Sequence, residues 1–225
     1  MIRTKAIRLI VTILIINLSS AISIAQEKQK EKVVKSITVI KNFSNMQENI
    51  PAELMQRAEG IVIIPNLINA GLGIGGKRGK GVAMVKNSNG TWSNPTFITL
   101  TGGSIGFQAG VQSIDLVMVF LDRNTLETIG TGDFTLGGDI SVAAGPVGRS
   151  SSANTNYKLE AEVYSYSRSR GLFAGVSLNG AALEVDSVSN NAFYKTDLSV
   201  AEIFTDSKSS DSNVASLKSA VKDLQ

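Results

Sequence analysis

Glycine recurs inside the apolar segments that form the middle of this 225-residue chain. Gly71, Gly73 and Gly75 alternate with two aliphatic residues, a pattern that predicts a strand with one bare face. Glycine within a strand is typical of a bend, a bulge or a close approach of two backbones. Because many short apolar runs are separated by Gly-rich turns, we predict an antiparallel sheet that curls or closes.

The apolar periodicity divides the chain into short elements. Strands are predicted over residues 61–64, 71–75, 79–86, 96–101, 105–111, 115–121, 134–143, 159–167, 172–178 and 181–185. Helices are predicted over residues 27–49, 51–58, 123–130, 187–195 and 213–224. Asn89-Gly90 predicts a hairpin turn. The expected fold class is α+β, with a mainly antiparallel, curled or barrel-like sheet flanked by N-terminal and C-terminal helices.

Residues 1–25 have the pattern of a secretory signal peptide. Three basic residues precede an apolar run over residues 9–18, and Ser23 and Ala25 supply small side chains at the positions that a cleavage site requires. We expect cleavage after Ala25. A retained membrane anchor is the alternative, but the run is shorter than the roughly 20 apolar residues of a spanning helix.

Charge and composition limit what residues 26–225 can do. The signal segment holds three bases and no acid, so the sequence pI of 9.1 comes from it and the remaining charges balance. A neutral domain gives no reason to expect nucleic acid. The absence of Cys and His excludes thiolate nucleophiles, disulfides, His-based triads and zinc sites built on those residues. We expect one domain, with a core over about 34–194 and a helical tail over 196–225, and no enzymatic activity, metal or cofactor.

Two Gly-rich motifs imitate functional sites. Residues 71–76 match GxGxxG, but a strand-like segment follows where a dinucleotide site needs a helix. Residues 102–106 match GxSxG, but no His is present to act as base. A pair of carboxylates is a further catalytic possibility. We interpret the candidates as solvated turn and cap residues: Asp115, Asp122, Glu127, Asp133 and Asp139.

A basic segment is more informative. Over residues 60–114 the only ionisable side chains are Lys77, Arg78, Lys80 and Lys86. Three of them lie in the Gly-bounded segment 75–81, which we predict to be a hairpin tip. A tip with free backbone N–H groups suits phosphate, and each base near an anionic membrane contributes about 1 kcal/mol. The alternative is a solvated turn that keeps a Gly-rich sheet soluble.

Four bases alone would bind a membrane weakly, so a second, apolar contribution is needed. The predicted N-terminal helix offers one, since Val33, Ile37 and Ile40 fall on one face. This helix would either lie on a membrane or dock on its own domain, and the residues leave both alternatives open. A cavity for a head group or an acyl chain is the other source.

Several short motifs, in a fixed order, resemble the SYLF domain, a lipid-binding family known from yeast actin-patch proteins and plant FYVE-containing proteins. The matching residues are Ile64-Pro65, Gly79-Lys80-Gly81, Trp92-Ser93-Asn94-Pro95, Gly106-Phe107-Gln108-Ala109-Gly110, Asp115, Ala143-Ala144-Gly145-Pro146-Val147-Gly148-Arg149, Tyr164-Ser165-Tyr166-Ser167, Gly171-Leu172-Phe173-Ala174-Gly175-Val176-Ser177-Leu178-Asn179-Gly180, Asn191 and Tyr194. The resemblance runs from about Val34 to Tyr194.

The resemblance implies a non-enzymatic domain that binds membrane lipid. Eukaryotic members favour phosphoinositides with the help of an amphipathic N-terminal helix, and some bind actin. For an exported bacterial member, periplasmic or envelope-associated, we expect an anionic phospholipid instead. The expected lipid-binding residues are Lys77, Arg78, Lys80, Lys86, Arg149, Val33, Ile37 and Ile40. A buried ion pair is the alternative for Arg149, and a domain that binds an envelope protein is the alternative function.

Overall fold

The computed structural model describes residues 26–46, 50–130, 134–145, 160–169, 172–173, 176–205 and 211–225. The strands are β1 (Gly60–Val85), β2 (Thr96–Phe120), β3 (Phe134–Leu136), β4 (Val142–Ala144), β5 (Val163–Ser169), β6 (Leu172–Phe173) and β7 (Ala181–Val185). The helices are α1 (residues 26–44), α2 (Ala52–Gln56), α3 (Arg123–Glu127), α4 (Ser187–Tyr194), α5 (Val200–Thr205) and α6 (Ser212–Lys222), with a 3-10 turn at Thr128–Gly130.

The seven described strands form a single sheet built on one long hairpin. β1 and β2 pair antiparallel from Gly60 opposite Phe120 to Ala83 opposite Thr96. The other edge of β2 pairs with β7 near its start and with β5 near its end. β3 pairs with β7, whereas β4 lies parallel to β5. A bridge between Leu136 and Ile140 joins these two sides, so the sheet curls and the predicted fold class is confirmed.

The hairpin is longer than the sequence predicts. The runs predicted as separate strands at 61–64, 71–75 and 79–86 are all parts of β1, and three later runs are parts of β2. The prediction that segment 75–81 is a hairpin tip is therefore wrong. Two register shifts bend the ladder without ending it, which the glycine pattern does not reveal. The Asn89-Gly90 turn is confirmed between the two strands, where Gly90 has a φ of 79°.

Both faces of the hairpin's paired ends are buried. Ile61 and Ile63 belong to an apolar cluster that α1 and α6 cover, whereas Val62 and Ile64 belong to a second cluster that includes residues of α3 and α5. Successive side chains of a strand point to opposite faces, so a continuous apolar run is what a strand between two layers requires. The run at 61–64 thus places β1 between the helices and the interior of the curl.

The curl brings the two halves of β1 into direct contact. A Cβ placed on Gly81 would collide with the carbonyl oxygen of Ile63 and lie 2.8 Å from Cγ1 of Ile64. Real Cβ atoms do not approach other atoms so closely, so only glycine fits at this crossing. The close backbone approach predicted from the glycines is confirmed here.

Aspartate side chains cap the N-termini of three helices. The side chains of Asp122, Asp186 and Asp211 accept hydrogen bonds from backbone N–H groups in the first turns of α3, α4 and α6. These contacts satisfy donors that a helix leaves unpaired at its start. In the part of the chain that the structure describes, no helix is long and apolar enough to span a bilayer.

Candidate functional site

The basic segment lies on β1, where alternation separates its side chains. Arg78 and Lys80 are exposed and project from the same face of the strand. Lys77 points to the opposite face and is only 3% exposed. The structure therefore brings two of the three predicted bases of this segment together at the surface and directs the third inward.

Lys77 is a buried amine without an ionic partner among the described carboxylates. Its Nζ donates a hydrogen bond to the carbonyl oxygen of Ser177, in the loop before β7. Burial lowers the pKa of the Lys77 amine, since desolvation disfavours the charged form. Its observed contacts are structural, because the amine ties β1 to the chain 100 residues further on.

Lys80 lies where β1, α1 and α4 meet. Its Nζ is 2.5 Å from Oδ2 of Asp186, the residue that caps α4. Burial acts to raise the pKa of Asp186, but hydrogen bonds from Lys80 and Ser189 outweigh it and hold the pKa below its ordinary value. The pKa of Lys32 on α1 is lowered, first by burial and then by the positive charges of Lys35 and Lys80. Lys32 and Lys80 thus lie close together with the carboxylates of Glu31 and Asp186 nearby, although α1 and β1 are far apart in sequence.

Of the remaining predicted bases, Lys86 has other partners. Lys86 follows β1, and its Nζ donates a hydrogen bond of 3.0 Å to the carbonyl oxygen of Gln56. Its backbone carbonyl accepts a hydrogen bond from Arg123, the first residue of α3. Arg149 lies outside the described residues. The lipid-binding roles of all five bases stay predictions.

The apolar face of α1 is docked on the domain. Val33 and Ile40 are fully buried in the cluster that also holds Ile61, and Ile37 packs against it at partial exposure. Of the two alternatives that the sequence leaves open for this helix, the structure shows docking on its own domain. Val34, 44% exposed, lies beside that contact rather than in it.

An exposed apolar patch, which the sequence patterns do not predict, lies at a sharp bend in the hairpin. A Cβ placed on Gly71 would lie 2.7 Å from Cα of Gly75, although four extended residues would span about 13 Å. The chain therefore folds back over residues 71–75. Leu72 and Ile74, between those glycines, are 80% and 81% exposed. We call these two residues, together with Val111 of β2, the apical patch.

Val111 belongs to the apical patch through the ladder. It pairs with Ala70, next to the point where the strand turns back, and is 73% exposed. Leu172 of β6 is also exposed, and β6 pairs with β5 at Ser169, whose hydroxyl donates to the carbonyl of Ser113. The alternation of glycine with Leu72 and Ile74 could have revealed the patch, because bare glycine neighbours provide nothing to cover these side chains.

A polar cluster fixes the first register shift of the hairpin. Asn66 has a positive φ of 54°, and its backbone N–H donates to Oδ1 of Asp115 at 3.2 Å. The guanidinium of Arg168 donates to Oδ2 of the same carboxylate at 2.8 Å, and both side chains are largely buried. Asp115 is therefore an architectural residue that joins β1, β2 and β5 below the bend.

Tyr194, a residue of the SYLF resemblance, and Asn190, a neighbouring residue of α4, also have architectural roles. The hydroxyl of Tyr194 donates to the carbonyl of Pro95 at 2.7 Å. The buried amide of Asn190 accepts from the backbone of Phe97 and donates to the hydroxyl of Thr96. These contacts hold α4 against the start of β2. Burial raises the pKa of Tyr194 far above its ordinary range, so its hydroxyl stays a donor.

The described acidic candidates cap a helix, accept hydrogen bonds in turns or form ion pairs. Asp122 caps α3, Glu127 pairs with Arg123 at 2.5 Å, and Asp139 accepts from the backbone of Thr135 at 3.0 Å. Asp133 lies outside the described residues. Within the described ranges, no group of three or more acidic residues is placed to hold a metal ion. The interpretation as solvated turn and cap residues agrees with the contacts of Asp122 and Asp139, whereas Asp115 departs from it because it is largely buried in β2 and paired with Arg168.

Comparisons with known proteins place these features in a family context. A family profile, Ysc84, described as "Las17-binding protein actin regulator", matches residues 101–224. The human and bovine proteins named SH3 domain-containing YSC84-like protein 1 are each 33% identical over 180 residues, which are 80% of this chain and 52% of theirs. LAS seventeen-binding protein 3 of Saccharomyces cerevisiae is 34% identical over 173 residues, 76% of this chain and 38% of its own. The chain spans about half the length of the mammalian relatives and less of the yeast protein.

Proposed function

The chain belongs to the SYLF (Ysc84) family, and from this premise we propose that it is a non-enzymatic domain that binds anionic phospholipid membranes in a bacterial envelope. The observation that carries the proposal is the charge of the long hairpin. From residue 60 to residue 114 no carboxylate is present, and Arg78 and Lys80 project from one face. Outward cations are attracted to anionic lipid, and because Lys80 is already paired with Asp186, Arg78 carries most of this attraction.

The structure changes the mechanism that we expect from the sequence. Lys77 is turned inward and the apolar face of α1 is buried, so neither is available to a membrane in the described conformation. Arg78 and Lys80, with Lys32 of α1 close to Lys80, provide the cationic contact. Lys86 contributes only if the membrane also reaches its part of the surface, beside Gln56. Arg149 remains a predicted contributor.

Export is the second part of the proposal. Residues 1–25 have the three regions of a signal peptide, and we propose that cleavage after Ala25 delivers residues 26–225 to the periplasm or the envelope. Mass spectrometry of the protein isolated from envelope fractions tests this directly. A mass that begins at Gln26 supports it, whereas a protein that keeps its first residue in the soluble cytosol would contradict it.

Co-sedimentation with liposomes tests membrane binding. The purified protein is mixed with vesicles of phosphatidylcholine alone or with a third of phosphatidylglycerol, over a series of salt concentrations. We expect binding that requires the anionic lipid and weakens with salt, since salt screens exposed charges. Arg78→Glu removes one attraction and adds one repulsion, together about 2 kcal/mol or roughly a 30-fold loss of affinity.

Lys222→Glu is the matched control, because Lys222 is exposed at the end of α6 and undergoes the same change of charge. Equal losses in both variants would mean that net charge, rather than the hairpin, determines binding. Failure of the unmodified protein to sediment with either vesicle would overturn the membrane proposal.

A second candidate is a protein-interaction domain, and the names of the relatives favour it. The family profile and the yeast relative are both named for binding Las17. The chain matches only part of those proteins, so their partner does not transfer to it directly. Salt-resistant capture of one envelope protein, with no sedimentation on liposomes, would favour this candidate over membrane binding.

A further inference from the structure

We propose that the apical patch is the element of this domain that inserts into the bilayer, so that Leu72, Ile74 and Val111 enter the acyl region while the cations of the hairpin remain at the phosphates. This inference rests on the proposed membrane function and specifies its apolar contribution. From the sequence, we expect that contribution from α1 or from a cavity. The buried face of α1 makes the patch the better-placed exposed apolar element of the described structure.

The shape of the patch is the first argument. Leu72 and Ile74 stand at a fold in the chain, flanked by glycines that carry no side chains to cover them. Val111 pairs with Ala70, so it lies diagonally across the ladder from Leu72. Three large aliphatic side chains, each more than 70% exposed, therefore project at the turn of a narrow two-stranded ribbon. Protruding aliphatic side chains suit insertion between lipids better than packing against a flat protein surface.

The distribution of charge is the second argument, and it selects lipid as the occupant. The bend lies within the acid-free stretch of residues 60–114, and the exposed Arg78 follows Ile74 by four residues along β1. The apical patch, with Arg78 next to it along the strand, matches the order of a bilayer, where phosphates lie outside the acyl chains. A carboxylate near the tip would oppose entry through an anionic head-group layer, and the hairpin contains none between residues 60 and 114.

The cost of leaving these residues exposed is the third argument. Apolar side chains grouped on a surface mark an interaction site or a liability for aggregation. Neither Leu72 nor Ile74 belongs to the two buried clusters, so they contribute little to the packing of the described core. Leu172, 74% exposed on β6, extends the apolar character towards β5.

A single fluorescent label tests insertion, because the chain has no Cys and one introduced residue is labelled uniquely. Leu72→Cys carries an environment-sensitive dye, and Val188→Cys is the matched control, since Val188 is an aliphatic residue with 81% exposure on α4. With vesicles containing a third of phosphatidylglycerol, we expect a blue shift and a several-fold increase of emission at position 72. Brominated acyl chains should quench that emission, while the dye at position 188 stays unchanged.

The outcomes separate the two proposals. Labelled protein that sediments with vesicles but shows no change at position 72 overturns insertion and leaves membrane binding intact. Protein that does not sediment overturns both. A shift at position 72 produced by detergent-solubilised envelope proteins but not by vesicles overturns insertion in favour of a protein partner.

A double variant supplies the quantitative test. Leu72→Ser with Ile74→Ser should lower the partition coefficient on anionic vesicles about 100-fold, from about tenfold for each inserted side chain. Val188→Ser should leave it unchanged. Both exchanges are at exposed positions, so urea midpoints close to that of the unmodified protein are expected and will show that the variants are folded. A double variant that binds vesicles as the parent does would contradict insertion.

Discussion

Gly81→Ala tests the crossing of the two halves of β1, on which the curl of the sheet depends. The added methyl group would collide with the carbonyl oxygen of Ile63 and with the side chain of Ile64, so a backbone must move. Forcing one extra carbon into a packed interior costs about 1–3 kcal/mol. The lower entropy of the unfolded chain returns about 0.4–1 kcal/mol of this. The net loss is then about 1.3 kcal/mol, the difference between the middles of the two ranges.

Urea unfolding followed by circular dichroism measures this loss as a lower midpoint with an unchanged slope. For a protein of this size, a loss of about 1.3 kcal/mol corresponds to a fall in Tm of about 3–5 °C. Gly103→Ala is the matched control, because Gly103 lies in β2 and a Cβ there meets no atom within 4 Å. It should keep or slightly raise the stability, through the entropy term alone.

Equal stability of the two variants would refute the close crossing. If Gly81→Ala and Gly103→Ala agreed within about 0.5 kcal/mol, the range of ordinary surface substitutions, the backbones at Gly81 and Ile63 could not be in contact. The two halves of β1 would then lie further apart, and the interior of the curl would be less tightly packed.

Two further predictions concern α1 and the buried amine. Val33→Ala should lower the free energy of unfolding by about 2 kcal/mol, because Val33 is fully buried. Val34→Ala, at a 44% exposed position, should change it by less than about 0.5 kcal/mol. Equal effects of the two variants on urea unfolding would contradict docking of α1. The lowered pKa of Lys77 means that, between this pKa and the ordinary value near 10.4, the unfolded chain holds a proton that the folded chain lacks, so stability should rise with pH over that window. Lys77→Met should make this rise smaller in unfolding curves from pH 7 to pH 10, and an unchanged rise would show that Lys77 does not titrate abnormally.

Local patterns predict the element types well and their continuity poorly. The strand at 181–185 and the hairpin turn at Asn89-Gly90 follow from alternation and turn chemistry, which involve only near neighbours. Local patterns divide the 26 residues of β1 into three predicted strands, because glycine and proline interrupt the apolar pattern. In the structure, the ladder continues through these positions, since β2 follows every bend of its partner. Pairing with a distant strand overrides the local signal.

The candidate site is harder to predict, because the direction in which a side chain points and the partner that it contacts depend on residues far away in sequence. The charge pattern identifies all four bases of the hairpin. It does not show that Lys77 faces Ser177 or that Lys80 faces Asp186, partners 100 and 106 residues away. The resemblance to the SYLF family gives the order of the motifs, but several of them have architectural contacts, such as that between Tyr194 and Pro95. A motif that identifies a family need not contain its binding residues.

Glycine at the crossing and glycine at the bend have opposite consequences for the side chains nearby. At Gly81 the missing side chain lets two backbones meet, and Ile63 and Ile64 are fully buried as a result. At the bend the missing side chains leave Leu72 and Ile74 without neighbours. Packing alone would favour polar residues at these two positions, because exposed aliphatic groups add nothing to the core. Their presence is therefore better explained by an interaction than by stability. Stability and membrane affinity should accordingly separate, with Gly81→Ala lowering stability and the double Ser variant at positions 72 and 74 lowering only membrane affinity.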